Sequence, residues 1–420
     1  MPFKIADVRA MEILDSRARP TLSVVLTLAD GTTARAGVPS GASTGSGEAV
    51  ELRDGDPHRY GGAGVTRAVG NVNGEIGEAL RGRVFDTLAD LDHTLIDLDG
   101  TANKARLGAN AIVGVSIAAA RARALHREAP LWRELNPDGV AARLPVPHFN
   151  VLNGGAHAAN KLDFQEFMIA PLGAPTLPEA VRAGAEVYAA LRRELAAAGH
   201  DTGLGDEGGF APDVAEPEHA LRLLVSAISD AGYEPGLDGV AIALDPAATG
   251  FHQADGGYLV NGRSFTSDEL IDRYAQIISE FPVYSIEDGL AEDDREGWIA
   301  MTERLGGRIQ IVGDDNFVTN PAIISDAVEN EIANAALIKV NQIGTVTETL
   351  QALAVCRDAG YGAMISHRSG ETDDTFIADL AVGSGCGQIK TGAPARGERV
   401  AKYNRLLEIA GSHPELGYGR

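Results

Sequence analysis

The sequence predicts an α/β protein in which a β/α barrel of eight strands follows a smaller α+β domain. Three observations carry this expectation. Short apolar runs recur through the C-terminal part of the chain, and nearly every one stops on a charged or polar residue before a glycine. Helical spacing fills stretches between the later runs, as in DELIDRYAQIISEF and TETLQALAVCRDAG. At 420 residues, the chain holds one barrel of about 250 residues and one further domain.

Taken in order, residues 3 to 38 contain β-rich runs such as TLSVVLTL before the turn Asp30-Gly31, which read as a strand hairpin. The small-residue segment SGASTGSG, Ser40 to Gly47, reads as a mobile lid. Gly41-Ala42-Ser43-Thr44-Gly45 matches the GxSxG pattern, but Pro39 and the nearby glycines deny it the strand-elbow-helix setting of a nucleophile. From about Val65 to Leu135 the spacing is helical, and the cluster Asn136-Pro137-Asp138-Gly139 marks the expected boundary between domains 1–138 and 139–420. Eight apolar runs follow: VPHFNVLNGG, FQEFMIAP, VAIALDPAA, VYSIEDG, IQIVGDD, ALIKVNQIG, GAMISHRSG and GQIKTG. Alternation with helices predicts parallel, buried strands with chemistry at their C-terminal ends.

Composition narrows the function. Lys and Arg total 36 against 59 Asp and Glu, a net charge of −23, which argues against nucleic acid or an anionic membrane as partner. A phosphate must therefore find a local cationic site. The two cysteines, Cys356 and Cys386, form no CxxC, so neither a disulfide framework nor a cysteine zinc site is expected. MPFKIADVRAMEILD lacks the apolar core of a signal peptide, and the apolar stretch Ala111 to Ala120 is interrupted by Gly114 and Ser116. The expected compartment is the cytoplasm.

The last six runs end at Asp245, Glu287, Asp314, Lys339, His367 and Lys390. A charge after a buried strand is costly unless it is paired, solvated or metal-bound. If the barrel closes, Asp245, Glu287 and Asp314 present three hard oxygen donors suited to Mg²⁺, with Lys339 and Lys390 facing them. A neighbouring cation lowers the pKa of an ammonium, which makes a lysine a usable base. Metal-assisted proton abstraction beside a carboxylate is the reaction class this pattern favours. GLGDEG, Gly203 to Gly208, matches GxGxxG, yet its two acids would repel a pyrophosphate; Glu207 there is a candidate general acid.

SGASTG, GDEGGFAP, SIEDG, GDD with VTNP, LIKVNQIG, SHRSGET and QIKTGAPAR, in that order from about Ile13 to Leu407, resemble the enolase family. The resemblance implies a barrel opening as ββαα(βα)₆ and dehydration of 2-phospho-D-glycerate to phosphoenolpyruvate with two Mg²⁺ per site. A lysine base beside Mg²⁺ is a known arrangement of that superfamily. By the resemblance, Lys339 takes the C2 proton, and Glu207, supported by Glu166, helps the C3 hydroxide leave. Asp245, Glu287 and Asp314 hold the first Mg²⁺, and Ser43 on the closing lid joins the second. Arg368 and Ser369 bind phosphate, Lys390 binds carboxylate, and Gln165, His157 and His367 complete the pocket.

The chain departs from the family pattern in three places. Asp245 is followed by Pro246-Ala247-Ala248-Thr249-Gly250-Phe251, with a proline and without the usual glutamate. The turn usually read as Asp-Ser-Arg-Gly-Asn-Pro is Asp15-Ser16-Arg17-Ala18-Arg19-Pro20. Positions that in the family form two cross-subunit Arg–Glu pairs hold Met11, Ser23, Glu408 and Gly411, so a homodimer with an altered, less ionic interface, or a higher homo-oligomer, is expected. These departures leave two alternatives: a paralogue acting on a related phospho- or phosphono-acid, such as a carboxyphosphonoenolpyruvate synthase, and a non-catalytic binding protein on the same scaffold.

Overall fold

The computed structural model describes residues 1–42 and 44–419. Strands β1 (Phe3–Leu14), β2 (Pro20–Leu28) and β3 (Thr33–Gly37) form an antiparallel sheet, and β4 (Val84–Phe85) adds to its edge in the order β3-β2-β1-β4. Alternation with one register shift between Ile5 and Asp7 explains β1: Phe3 and Ile5 before the shift and Val8 and Ala10 after it are buried. The expected hairpin is present, with Gly31 at φ 90° in its turn. The helical stretch resolves into Thr66–Asn71 continuing through a π turn to Leu80, then Leu88–Asp99, Ala109–His126 and Leu131–Glu134.

Helix Ala109–His126 contains the interrupted apolar stretch Ala111 to Ala120. No helix of the described residues is long and apolar enough to cross a membrane. This helix is buried on nearly every side, between the N-terminal sheet and the barrel. Gly114 permits the close approach to the sheet, because a Cβ there would lie 2.6 Å from Val24 Cγ2 and 2.9 Å from Val38 Cγ2. On its other side, Ser116 Oγ accepts from Val346 N at 3.0 Å. Asp92, also buried, accepts from Thr347 N (3.0 Å) and Thr347 Oγ1 (2.5 Å). Two N-terminal side chains thus cap the exposed amides of the barrel helix Val346–Ala359.

After β5 (Arg143–Leu144), the eight apolar runs all become barrel strands. They are β6 (Val146–Asn153), β7 (Glu166–Ala170), β8 (Ala241–Asp245), β11 (Val283–Glu287), β12 (Gln310–Gly313), β13 (Ala335–Ile338), β14 (Gly362–Ser366) and β15 (Gln388–Lys390). The hairpin β9 (Tyr258–Val260) and β10 (Arg263–Phe265) is inserted after β8, and β16 (Gly417–Tyr418) pairs with β5. The barrel closes in the order β11-β12-β13-β14-β15-β6-β7-β8.

One expectation drawn from the run pattern is corrected. The barrel is not all parallel: β7 runs antiparallel to both β6 and β8, while the other neighbours are parallel. Two helices, Leu177–Ala197 and Pro217–Asp230, separate β7 from β8, which gives the ββαα(βα)₆ order. The cause is the short connection from β6, since only a crossover can return a strand in parallel. The reversal has a consequence for chemistry. Glu166 begins β7, yet it pairs with Asn153 and Asp245, which end β6 and β8, so it lies at the same mouth as the other strand-end acids.

Candidate active site

The barrel mouth gathers Glu166, Asp245, Glu287, Asp314, Lys339, His367 and Lys390 from successive strand ends, each no more than 8% exposed. The solvated strand-end reading, reasonable for one such residue, does not describe this set. Lys390 Nζ lies 2.8 Å from Glu287 Oε1, 3.0 Å from Glu166 Oε2 and 3.3 Å from Asp245 Oδ2. Lys339 Nζ donates to Asp314 Oδ2 at 2.5 Å, and Gln342 Nε2 donates to Asp314 Oδ1 at 2.9 Å. The cavity between them is only about 20 Å³, room for about one water, because both ammonium groups reach into the carboxylates.

Burial opposes charge on every one of these groups, and their neighbours decide the outcome. Burial pushes the Glu287 carboxyl up, Asp245 adds to this, and the net position is well above the ordinary range despite Lys390. Burial pushes Lys390 down, but Glu166, Glu287 and Asp245 outweigh it and hold the ammonium well above its usual value. The lowering expected for Lys339 depends on a cation beside it; its protein neighbours alone act, on balance, the other way. Burial does act downward, but the Asp314 carboxylate in contact with Nζ raises the lysine overall.

A second group of acids forms around the glycine-rich loop. Glu207 is 2% exposed, which excludes an exposed turn carboxylate. Its loop is held tightly, since a Cβ on Gly209 would lie 2.5 Å from Asn153 Oδ1. Asn150 Nδ2 donates to Glu207 Oε2 at 2.8 Å, and His367 Nε2 lies 3.2 Å from the same oxygen. His157 Nδ1 lies 3.7 Å from both Glu166 Oε1 and Glu207 Oε1. Burial and the Glu207 charge hold Glu166 well above the ordinary range. Burial pushes Glu207 up as well, but His367 and His157 outweigh it and hold Glu207 well below. Burial takes His367 down to about 4, so it is neutral at neutral pH.

Arg368 and Ser369 follow β14 and line the same cavity. Arg368 is clamped by Glu48, with Nη1 to Oε2 at 3.0 Å and Nη2 to Oε1 at 3.1 Å. Gln165 is buried beside them; its backbone N donates to Asp245 O at 3.1 Å. Ser43 lies outside the described residues. Its neighbours lie against the barrel loops: Ser46 N donates to Glu292 Oε2 at 3.0 Å, and Ala49 N donates to Gln342 O at 2.8 Å.

Asp245, Glu287 and Asp314 offer buried carboxylate oxygen with no thiolate or imidazole among them, a donor set for a hard divalent cation. These three carboxylates outnumber the two lysines beside them, so the set fits a cation chemically. Among the described residues, the groups whose ligand atoms lie within 4.8 Å of one another are different ones, His157 with Glu166 and Glu207, and Asp288 with Asp314 and Asp315. The altered segment after Asp245 folds into a local turn: Ala247 N donates to Asp245 Oδ1 at 2.9 Å, with Ala247 at φ 49°. Asp245 Oδ2 is the oxygen left to face Lys390.

Several residues important to this geometry were not singled out from sequence. Asp288 is buried and its two oxygens accept from Asp314 N (2.8 Å) and Asp315 N (3.0 Å), fixing the turn that presents Asp314. Its place in SIEDG was the available signal. Asn150, Gln342 and Glu48 act through side chains whose sequence neighbourhoods carry no distinguishing pattern. Arg399, on the helix Gly397–Ser412, donates from Nη1 to His367 Nδ1 at 2.6 Å.

Fold and site together define a capped β/α barrel with buried lysines and carboxylates at one mouth. Comparison with known proteins makes this particular. Residues 5–135 match the family model described as "Enolase, N-terminal domain", and residues 141–417 match "Enolase, C-terminal TIM barrel domain". A curated protein named "Enolase" from Rubrobacter xylanophilus is 56% identical over 422 residues, covering 99% of this chain and 97% of that one. The chain belongs to the enolase family.

Proposed function

We propose that the protein is a hydro-lyase that dehydrates 2-phospho-D-glycerate to phosphoenolpyruvate. The observation that carries this is the pairing at one buried mouth of a lysine, Lys339, with a separate acid pair, Glu207 and Glu166. The relative's name and near-full-length similarity support this reaction over a phosphonate-directed paralogue or a non-catalytic scaffold.

Lys339 removes the C2 proton, and Arg368 and Ser369 hold the phosphate once Glu48 releases the guanidinium. Lys390 pairs with the substrate carboxylate, with Gln165 beside it. The acid pair carries a proton for the departing C3 hydroxyl: in this arrangement Glu166, held well above the ordinary range, keeps it while Glu207 is held well below, and it passes to Glu207, the donor, beside His157 and 3.2 Å from His367. Asp245, Glu287 and Asp314 would hold one Mg²⁺, and Ser43 with the substrate phosphate a second. When bound, such ions would neutralise charge that develops on the substrate carboxylate. The segment Ser40 to Gly47 serves as the lid, and the capping domain ends near residue 138.

The proposed assembly is a cytoplasmic homodimer with a repacked interface. Three facts support repacking. Met11 is 55% exposed, Ser23 is buried and accepts from Arg35 Nε at 2.8 Å, and Glu408 finds Arg405 at 3.4 Å within its own chain. The test of the reaction is the ultraviolet absorbance of the enol product on adding 2-phospho-D-glycerate and Mg²⁺. A rapid rise absent in Lys339→Ala is expected; no rise in wild-type protein would overturn the reading.

A further inference from the structure

Arg399 is fully buried, 0% exposed, on the C-terminal helix, and of the side chains assigned a role above it touches only that of His367. Its guanidinium makes contacts of two kinds. Nη1 donates to Arg368 O at 2.6 Å, and Nη2 donates to Ser369 O at 2.7 Å and Asp206 O at 3.2 Å. These bonds tie the loop carrying Glu207 to the loop carrying Arg368 and Ser369. The contact of Nη1 with His367 Nδ1 at 2.6 Å is different, because it constrains a proton.

A guanidinium has donors only and stays protonated in proteins. Nδ1 of His367 must therefore accept, and the ring's single proton must sit on Nε2. That nitrogen is the one 3.2 Å from Glu207 Oε2. We propose that Arg399 is a positioning residue for the acid side of the site: it holds His367 as the neutral tautomer protonated on Nε2, the nitrogen 3.2 Å from Glu207 though not aligned on it as a hydrogen bond in this arrangement. This rests on the reaction proposed above. When Glu207 gives its proton to the leaving hydroxyl, which departs as water, the carboxylate left behind has N–H groups of His367 and Asn150 in reach. The other tautomer would face that carboxylate with a lone pair. A purely structural tie between loops would need only the three carbonyl bonds, and it predicts nothing about the imidazole.

The test reads the ring directly. The protein has 10 histidines, so ¹⁵N-histidine labelling with His367→Gln for assignment gives the tautomer of His367 by ¹⁵N NMR. Wild-type protein is expected to carry the proton on Nε2 throughout pH 5 to 8. In Arg399→Lys the preference should collapse to a mixture of tautomers or a titrating ring. That variant should lose kcat by about 10²-fold with KM changed far less, while C2 proton exchange persists. Wild-type protein with the proton on Nδ1 would overturn the proposal, and this measurement needs no variant to fold. So would Arg399→Lys with an unchanged ring. Wild-type protein with the expected tautomer but no dehydratase activity would instead overturn the reaction and leave the positioning intact.

Discussion

Replacing Asp92 by asparagine should stabilise the protein at pH 8 and do progressively less as the pH falls. Asp92 is fully buried, its Oδ1 has no hydrogen-bond partner, and it faces Thr347, Ser116 and the Glu348 carboxylate. Burial raises its carboxyl from 3.8 to about 6, against the lowering effect of the Thr347 and Ser116 hydrogen bonds. A raised acid pKa means the folded state binds the proton more tightly. Its contribution is therefore most favourable below the unfolded value and is lost as the pH rises through about 6. The shift of roughly two units corresponds to a penalty of about 3 kcal/mol at pH 8, and roughly half of that at pH 5. Asparagine keeps an acceptor for Thr347 and carries no charge. Urea unfolding of both proteins at pH 5 and pH 8 measures this through the shift in midpoint at constant m. A pH-independent difference, or a mutant less stable at pH 8, would refute the argument that burial of the charge dominates over capping of the helix.

Four further outcomes are expected. Lys339→Ala should abolish C2 proton exchange in deuterated water, whereas Glu207→Gln should spare exchange and stop dehydration; equal failure of both reactions in the second variant would contradict the division of roles. A chelator should remove activity and added Mg²⁺ restore it, followed by steady-state rate. Ala18→Gly should raise stability by about 0.5–1 kcal/mol in urea unfolding, because exposed Ala18 sits at φ 56° and the relief of left-handed strain exceeds the added unfolded-state entropy. Sedimentation in low and high salt should show a dimer whose affinity barely changes, since ionic interfaces weaken with screening.

The barrel was legible because each strand carries a local signature: a buried apolar run is cheap only if the polar residue ending it reaches a mouth where others compensate it. Asp245, Glu287, Asp314, Lys339 and Lys390 follow that logic. The direction of β7 was not legible in its own residues, because EFMIA is buried throughout and such a strand reads the same either way. Glu166 therefore looked like the start of a run rather than part of the mouth; only the family resemblance assigned it a role. Arg399 was invisible for a different reason. An arginine in a helix normally lies in solvent, and only tertiary packing shows that this one points inward. The state of Lys339 could not be read either, since it depends on which carboxylate its ammonium touches.

The helix Ala109–His126 has a mechanical consequence. Since it is the inner wall of both the sheet and the barrel, and its serine caps a barrel helix, separating the two halves would expose one continuous apolar surface and uncap Val346 in a single event. The cap and barrel should thus behave as one rigid block, and admission of a ligand to so small a cavity must come from rearrangement of short loops and long side chains at the rim.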